Sequence, residues 1–381
     1  MHTSPARLAL PSRLSFAALA LFGFAACQPR TGVTPNRDST IVSTGDVQLP
    51  RSDSAMAGSP MAKATPQMLS VIETLVSLGG KSIETLTPAE ARMQPTPTDA
   101  VKALLEREGK PTTPPPGVKT VDRTIPGPAG PLPVRVYTPE SGTGPFPIIV
   151  YFHGGGWVIA NKEVYDAGAR ALSLLTNAVV LSVDYRLGPE HKFPAAHDDA
   201  LASYEWALAN AASINGDASR VALAGESAGG NLAVASAIGA LAKGARAPSH
   251  ILAVYPIANI DPSLESKIVN ANAKPLNTPM LAWFGKHATR TPDDLKDPRI
   301  NLVAANLTGL PPTTVITAEI DPLRTEGHQL AEKLKAAGVD VASRDFMGVT
   351  HEFFGMSAVL DEAKAAQQFA ADRLKASLAK K

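Results

Sequence analysis

The stretch RVALAGESAGGNLAVASA, residues 220–237, constrains this chain more than any other. Val221 to Ala224 is a short apolar run that reads as a buried strand. Gly225-Glu226-Ser227-Ala228-Gly229 follows at once, and an alanine-rich helical run begins with no loop between. The glycines flanking Ser227 relieve crowding at so sharp a turn. Such a turn pushes the serine side chain out beyond the sheet edge, at a helix N-terminus whose dipole favours developing negative charge. A glycine-rich turn with a capping serine has the same composition, so the rest of the chain must decide between a structural and a reactive serine.

After Gly117 the pattern alternates. Strand-like runs are VKTVDRTI, LPVRVYTP, FPIIVYF, AVVLSVDY, RVALAG, HILAVY, PPTTVITA and DVASRDF. Helical runs cover 195–212, 228–243, 323–337 and 359–379. The first strands read as antiparallel hairpins, with GPAGP as a turn. The later ones alternate with helices, which predicts an α/β domain over 117–381 with a mostly parallel central sheet covered by helices on both faces. Ahead of it, TPQMLSVIETLVSLGG and TPTDAVKALLEREGK read as two helices of a small helical cap, 65–116, with too little apolar surface to stand alone. No internal repeat is present.

The N-terminus reads as a targeting segment. Arg7 and Arg13 precede the apolar run LSFAALALFGFAA, residues 14–26, which is too short to span a bilayer comfortably. The run ends at Cys27, the single cysteine of the chain. A signal peptide over 1–26 with lipidation at Cys27 accounts for this lone cysteine; a plain secretory signal would leave it an unpaired thiol. Residues 27–64 are polar and rich in Ser, Thr, Pro and Gly, a flexible tether with a reach of roughly 30 Å. The expected location is therefore the cell envelope, with membrane contact only through the lipid. Hydrophobic residues make up 44% of the chain, too many for disorder, and a net charge of +1 without a basic cluster argues against a nucleic-acid partner.

A serine nucleophile needs a base, and the base needs an orienting acid. For a serine on this kind of turn the chain order is serine, acid, histidine. Of the eight histidines, His2, His153, His191 and His197 precede Ser227. His250 opens a buried strand, His287 has few acids before it in a suitable loop, and His328 lies inside a helix. His351 follows the strand DVASRDF and the short segment MGVT, and Asp321 follows the strand TTVITAEI. Both then leave strand ends on the rim that carries Ser227. Taken alone, His351 could be a solvated loop histidine and Asp321 a helix cap.

The segment HGGGW, residues 153–157, leaves the strand FPIIVYF with three glycines in a row. Attack by Ser227 on an ester creates an oxyanion, which needs backbone N–H donors. Ala228 supplies one, and the bare backbone of Gly154, Gly155 and Gly156 supplies another. His153 reads as a brace for this loop.

These motifs, with DYRLGPEHKFPAAHDD at 184–199, DPLRTEG at 321–327 and HEFF at 351–354, resemble the bacterial hormone-sensitive-lipase family of α/β-hydrolase esterases over about residues 65–381. The resemblance implies a Ser227–Asp321–His351 triad, oxyanion donors from Gly154, Gly155 and Ala228, and neither cofactor nor metal. It implies hydrolysis of small-molecule esters with short to medium acyl chains through an acyl-enzyme. Three positions depart from the family pattern: Glu226 stands where aspartate or threonine is usual, Glu352 where glycine follows the base, and Gly188 where alanine is usual. The cap and the insertion at about 256–300 are expected to shape the pocket, with Trp157, Trp283 and Phe284 as candidate apolar walls. The export signal leaves open acyltransferase or deacetylase work on an envelope glycan through the same triad, and a non-catalytic ligand-binding protein on this scaffold is a further alternative, although His351 argues against the last. A peptidase of this fold would bring a large additional domain. The oligomeric state stays open, a homodimer included.

Overall fold

A computed structural model describes residues 58–379. The signal segment, Cys27 and most of the tether lie outside the described residues. The eight expected strands form one sheet: β1 (Val118–Gly127), β2 (Gly130–Pro139), β3 (Phe146–Phe152), β4 (Val179–Val183), β5 (Gly216–Glu226), β6 (Ile251–Val254), β7 (Thr313–Ile320) and β8 (Val341–Thr350). Their order is β1-β2-β4-β3-β5-β6-β7-β8. β1 and β2 form the antiparallel hairpin, β2 pairs antiparallel with β4, and every later pairing is parallel.

Nine α-helices of five or more residues accompany them among the described residues: α1 (Pro66–Ser77), α2 (Pro97–Arg107), α3 (Asp166–Thr176), α4 (Ala195–Asn210), α5 (Ala228–Ala242), α6 (Glu265–Val269), α7 (Thr278–Ala288), α8 (Arg324–Ala336) and α9 (Asp361–Leu378). The central strands are covered on both faces, which is why they read as unbroken apolar runs. On β3, Ile148, Val150 and Phe152 face a core shared with α4, α5 and α8. Ile149 and Tyr151 face the opposite core, shared with α3 and α9. Met68, Val71 and Ile72 of α1 and Leu104 of α2 join that second core, so the cap is an extension of it.

The cap helices start where Thr-Pro pairs put them. Thr96 and Asp99 form a reciprocal capping box at α2, with Pro97 at a position that needs no N–H. Three local features differ from the sequence expectation. α3 was not expected: it begins at Tyr165 without a side-chain cap and carries Gly168 and several alanines, so its signal is weak. The segment MGVT is strand, because the β7–β8 ladder shifts register and resumes at Ile320 and Thr350. The packed chain begins at about Pro60 rather than residue 65, with Met61 buried and the Thr65 N–H donating to Gly348 O at 2.9 Å.

Candidate active site

At the junction of β5 and α5 the chain turns without slack. A Cβ at Gly225 would come within 2.2 Å of Gly229 O, and one at Gly229 within 2.0 Å of Phe152 O. Only glycine allows the turn to sit this close to the end of β3. Ser227 carries the strain, at φ 57 and ψ −117, a region that costs a non-glycine residue roughly 1–3 kcal/mol. The turn is pinned by the Ser227 N–H, which donates to Val254 O at 2.9 Å. Of seven non-glycine residues with positive φ among the described residues, two are asparagines in turns. The other five, Trp157, Ala160, Ser227, Tyr255 and Glu352, all follow the carboxyl ends of strands around this turn. Strain concentrated this way marks a functional region.

The expected acid and base leave neighbouring strands. Asp321 follows β7 and is fully buried; its Oδ1 accepts the Leu323 N–H at 2.8 Å. Its other oxygen, Oδ2, lies 2.7 Å from Nδ1 of His351, which follows β8. A carboxylate oxygen only accepts, so Nδ1 carries a proton and, in the neutral ring, Nε2 is left with a lone pair. Asn270, just past α6, donates to Asp321 O at 3.1 Å, and Ser266 donates to Pro322 O, so a short helix of the insertion steadies the acid loop. Burial works against a charge on His351, but the Asp321 carboxylate, with Glu352 and Glu226 behind it, outweighs burial and holds the imidazole above its ordinary value.

Two further carboxyl groups surround the base. Glu226 is buried and accepts hydrogen bonds from the Tyr151 and Tyr255 hydroxyls. Burial, reinforced by Glu352, pushes it up to about 7. Glu352 accepts from the Tyr165 hydroxyl at 2.6 Å, and burial raises it too. The tyrosines, dispersed through the sequence, give no pattern that would have pointed to this network.

Ser227 and His351 border one cavity of about 510 Å³. Gly155 and Gly156 border it as well. Gly154 does not: it is wedged where a Cβ would meet the Tyr165 hydroxyl at 2.2 Å. Ala228 is fully buried at the start of α5, so only its backbone N–H is available there. His153 is buried, stacks on Tyr185 at 4.3 Å, and places Nδ1 2.7 Å from Gly154 O, as expected of a brace. Arg186 and Asp199 form a bidentate pair tying the DYR segment to α4.

The roof comes from the cap and the insertion. Ile83, Leu276, Met280, Leu281 and Phe284 supply apolar lining. Of the three aromatic candidates only Phe284 borders the cavity. Trp283 turns away, its Nε1 donating to Leu86 O at 2.9 Å, and ties α7 to the cap. Trp157 is buried in the core beside His197. Among the described residues no group of three or more His, Cys, Asp or Glu is arranged to hold a metal ion.

Comparison with known proteins agrees with this geometry. Residues 149–355 match the family described as the alpha/beta hydrolase fold. The carboxylesterase NlhH of Mycobacterium tuberculosis is 37% identical over 279 residues, 70% of this chain and 86% of the relative. An ethyl acetate hydrolase of Pseudomonas putida is 33% identical over 237 residues, 61% of this chain and 74% of the relative. The esterase of Pyrobaculum calidifontis superimposes with a TM-score of 0.73 at 35% identity, covering 83% of this chain and 100% of that one.

Proposed function

Because the chain belongs to the hormone-sensitive-lipase-like family of the α/β-hydrolase fold and is a carboxylic ester hydrolase, we propose that it cleaves small esters of short to medium acyl chains by acyl transfer to Ser227. The observation that carries this reading is the buried Asp321–His351 pair opening on the cavity that Ser227 borders. His351 Nε2 takes the proton as Ser227 Oγ attacks the ester carbonyl carbon. The resulting oxyanion accepts hydrogen bonds from the backbone N–H groups of Gly154, Gly155 and Ala228, each such donor contributing roughly 3 kcal/mol to the transition state. The intermediate collapses, and the alcohol leaves with the proton from Nε2. Water then enters, His351 takes its proton, and the acyl-enzyme is hydrolysed. Asp321 keeps Nδ1 protonated and stabilises the imidazolium that forms twice per cycle.

A cavity of about 510 Å³ suits a small ester, and a relative named for ethyl acetate supports the short end of the range. The test is a series of p-nitrophenyl esters from acetate to palmitate. Turnover peaking at short chains and lost in Ser227→Ala is expected. Turnover that rises steadily toward palmitate would overturn the assignment of acyl size, and turnover retained in Ser227→Ala would overturn the nucleophile.

A further inference from the structure

Carboxylates approach His351 from both sides of its ring. Asp321 takes Nδ1 at 2.7 Å. On the opposite side, Oε1 of Glu352 lies 3.8 Å from Nε2. That distance is too long for a hydrogen bond. It is short enough for a charge to act on the ring. Nε2 is also the atom that takes and returns the proton in the cycle above.

Glu352 occupies this position against its own backbone preference. Its φ of 71 is left-handed, where glycine is at ease and glutamate is strained. The side chain is held in place by the Tyr165 hydroxyl, which donates to Oε1 at 2.6 Å. Both residues border the cavity. Glu352 is partly buried, its side chain 20% exposed at the cavity, and a glutamate set among other carboxyl groups ordinarily has a lysine or arginine beside it. Among the described residues, no lysine or arginine forms an ion pair with Glu352, Glu226 or Asp321, and their cationic neighbour is His351.

We propose that Glu352 is a positioning residue that stabilises the imidazolium of His351 from the Nε2 side, complementing Asp321 on Nδ1, with Tyr165 holding its carboxylate in place. This rests on the triad reading above. The groups around the imidazole all favour the cation or are neutral. Asp321 faces it from the end of β7 and Glu226 from the end of β5. Tyr255, past β6, packs its ring 4.5 Å from the imidazole. Tyr165 approaches from the segment before α3, and Tyr151 of β3 holds Glu226. A charge beside Nε2 raises the pH at which the base becomes available and lowers the barrier to forming the imidazolium.

The experiment compares wild type, Glu352→Gln and Glu352→Gly in p-nitrophenyl acetate hydrolysis across about pH 5 to 9, with kcat and KM resolved. In parallel, the low-field Nδ1 proton of His351 is followed by NMR in Ser227→Ala with and without Glu352→Gln. Loss of the charge is expected to move the acid limb of kcat/KM, and the imidazole titration, down by about one pH unit. The plateau kcat is expected to fall about tenfold, with KM changing less than about twofold. Glu352→Gly, which relieves the left-handed strain, is expected to keep or raise Tm while moving the limb the same way. That separates charge from fold. An acid limb unmoved in both variants, or an imidazole that titrates unchanged, overturns the proposal. A wild type without Ser227-dependent turnover would sink the triad reading instead, and the NMR titration would still report whether Glu352 acts on the imidazole.

Discussion

At the floor of the cavity every reactive group leaves the end of a strand; at its roof every lining side chain comes from a segment outside the sheet. Ser227, Asp321 and His351 follow β5, β7 and β8, and each is 4% exposed or less. Their backbones are fixed by the ladders of the parallel sheet and by close glycine contacts. The roof hangs on individual side chains. Arg92 of the cap donates to Val158 O at 2.9 Å and Gly188 O at 2.7 Å, and pairs with Glu190. Asn277 donates to Glu84, and Trp283 to Leu86 O. On the proposed mechanism the floor must hold the reacting atoms in register, while the roof would select substrates and tolerate slack. Changes in the floor should therefore move kcat, and changes in the roof should move KM and acyl preference.

The sharpest way to break this division is Asp321→Asn. The amide preserves the shape but presents the wrong hydrogen-bonding group to Nδ1, so kcat is expected to fall by roughly 10³–10⁴ with little change in Tm. A drop of less than tenfold would mean that another group orients His351.

Glu226 tests the floor through pH. Its carboxyl titrates at about 7 in the folded chain against an ordinary 4.5, burial being the main cause. The folded state thus holds this proton where the unfolded state has released it. The stability tied to the proton is complete below about pH 4.5, declines as pH rises, and is gone above about pH 7. Glu226→Gln has no proton to lose. Relative to wild type it should gain stability as pH rises through that window, by on the order of 3 kcal/mol. Denaturant midpoints at the two ends of the window check this, and a pH-independent difference would contradict it.

The smallest expected effect lies in the roof. Arg92→Ala removes hydrogen bonds to two carbonyls of the floor loops, a loss of about 1–2 kcal/mol. KM for longer esters is expected to rise several-fold while kcat for acetate holds within about twofold. An equal fall in kcat would show that the cap positions the reacting atoms as well.

The floor was far more legible in the sequence than the roof. The central strands could be read because burial on both faces makes each an unbroken apolar run, and the edge strands from their alternation. Ser227, Asp321 and His351 could be proposed because chain order and strand ends restrict the choice. Gly155 and Gly156 border the cavity while Gly154 packs under Tyr165, a detail of turn geometry that composition does not encode. The roof depends on pairings between distant segments, such as Trp283 with Leu86, and no local pattern announces them. The apolar character of Trp157 and Trp283 alone points to cavity walls. The core and the α7–cap tie took those side chains instead. The tyrosines that hold Glu226 and Glu352 come from three separate parts of the chain and were invisible for the same reason.

The central claim is that Ser227 is the atom-bearing nucleophile of a base-activated site. Labelling with a fluorophosphonate, followed by intact mass and peptide mapping, tests it most directly. One adduct per chain on Ser227, formed in step with loss of p-nitrophenyl acetate turnover and strongly slowed in His351→Ala, is the predicted result. Inactivation with the adduct elsewhere, or full labelling of Ser227 with turnover intact, would contradict the account.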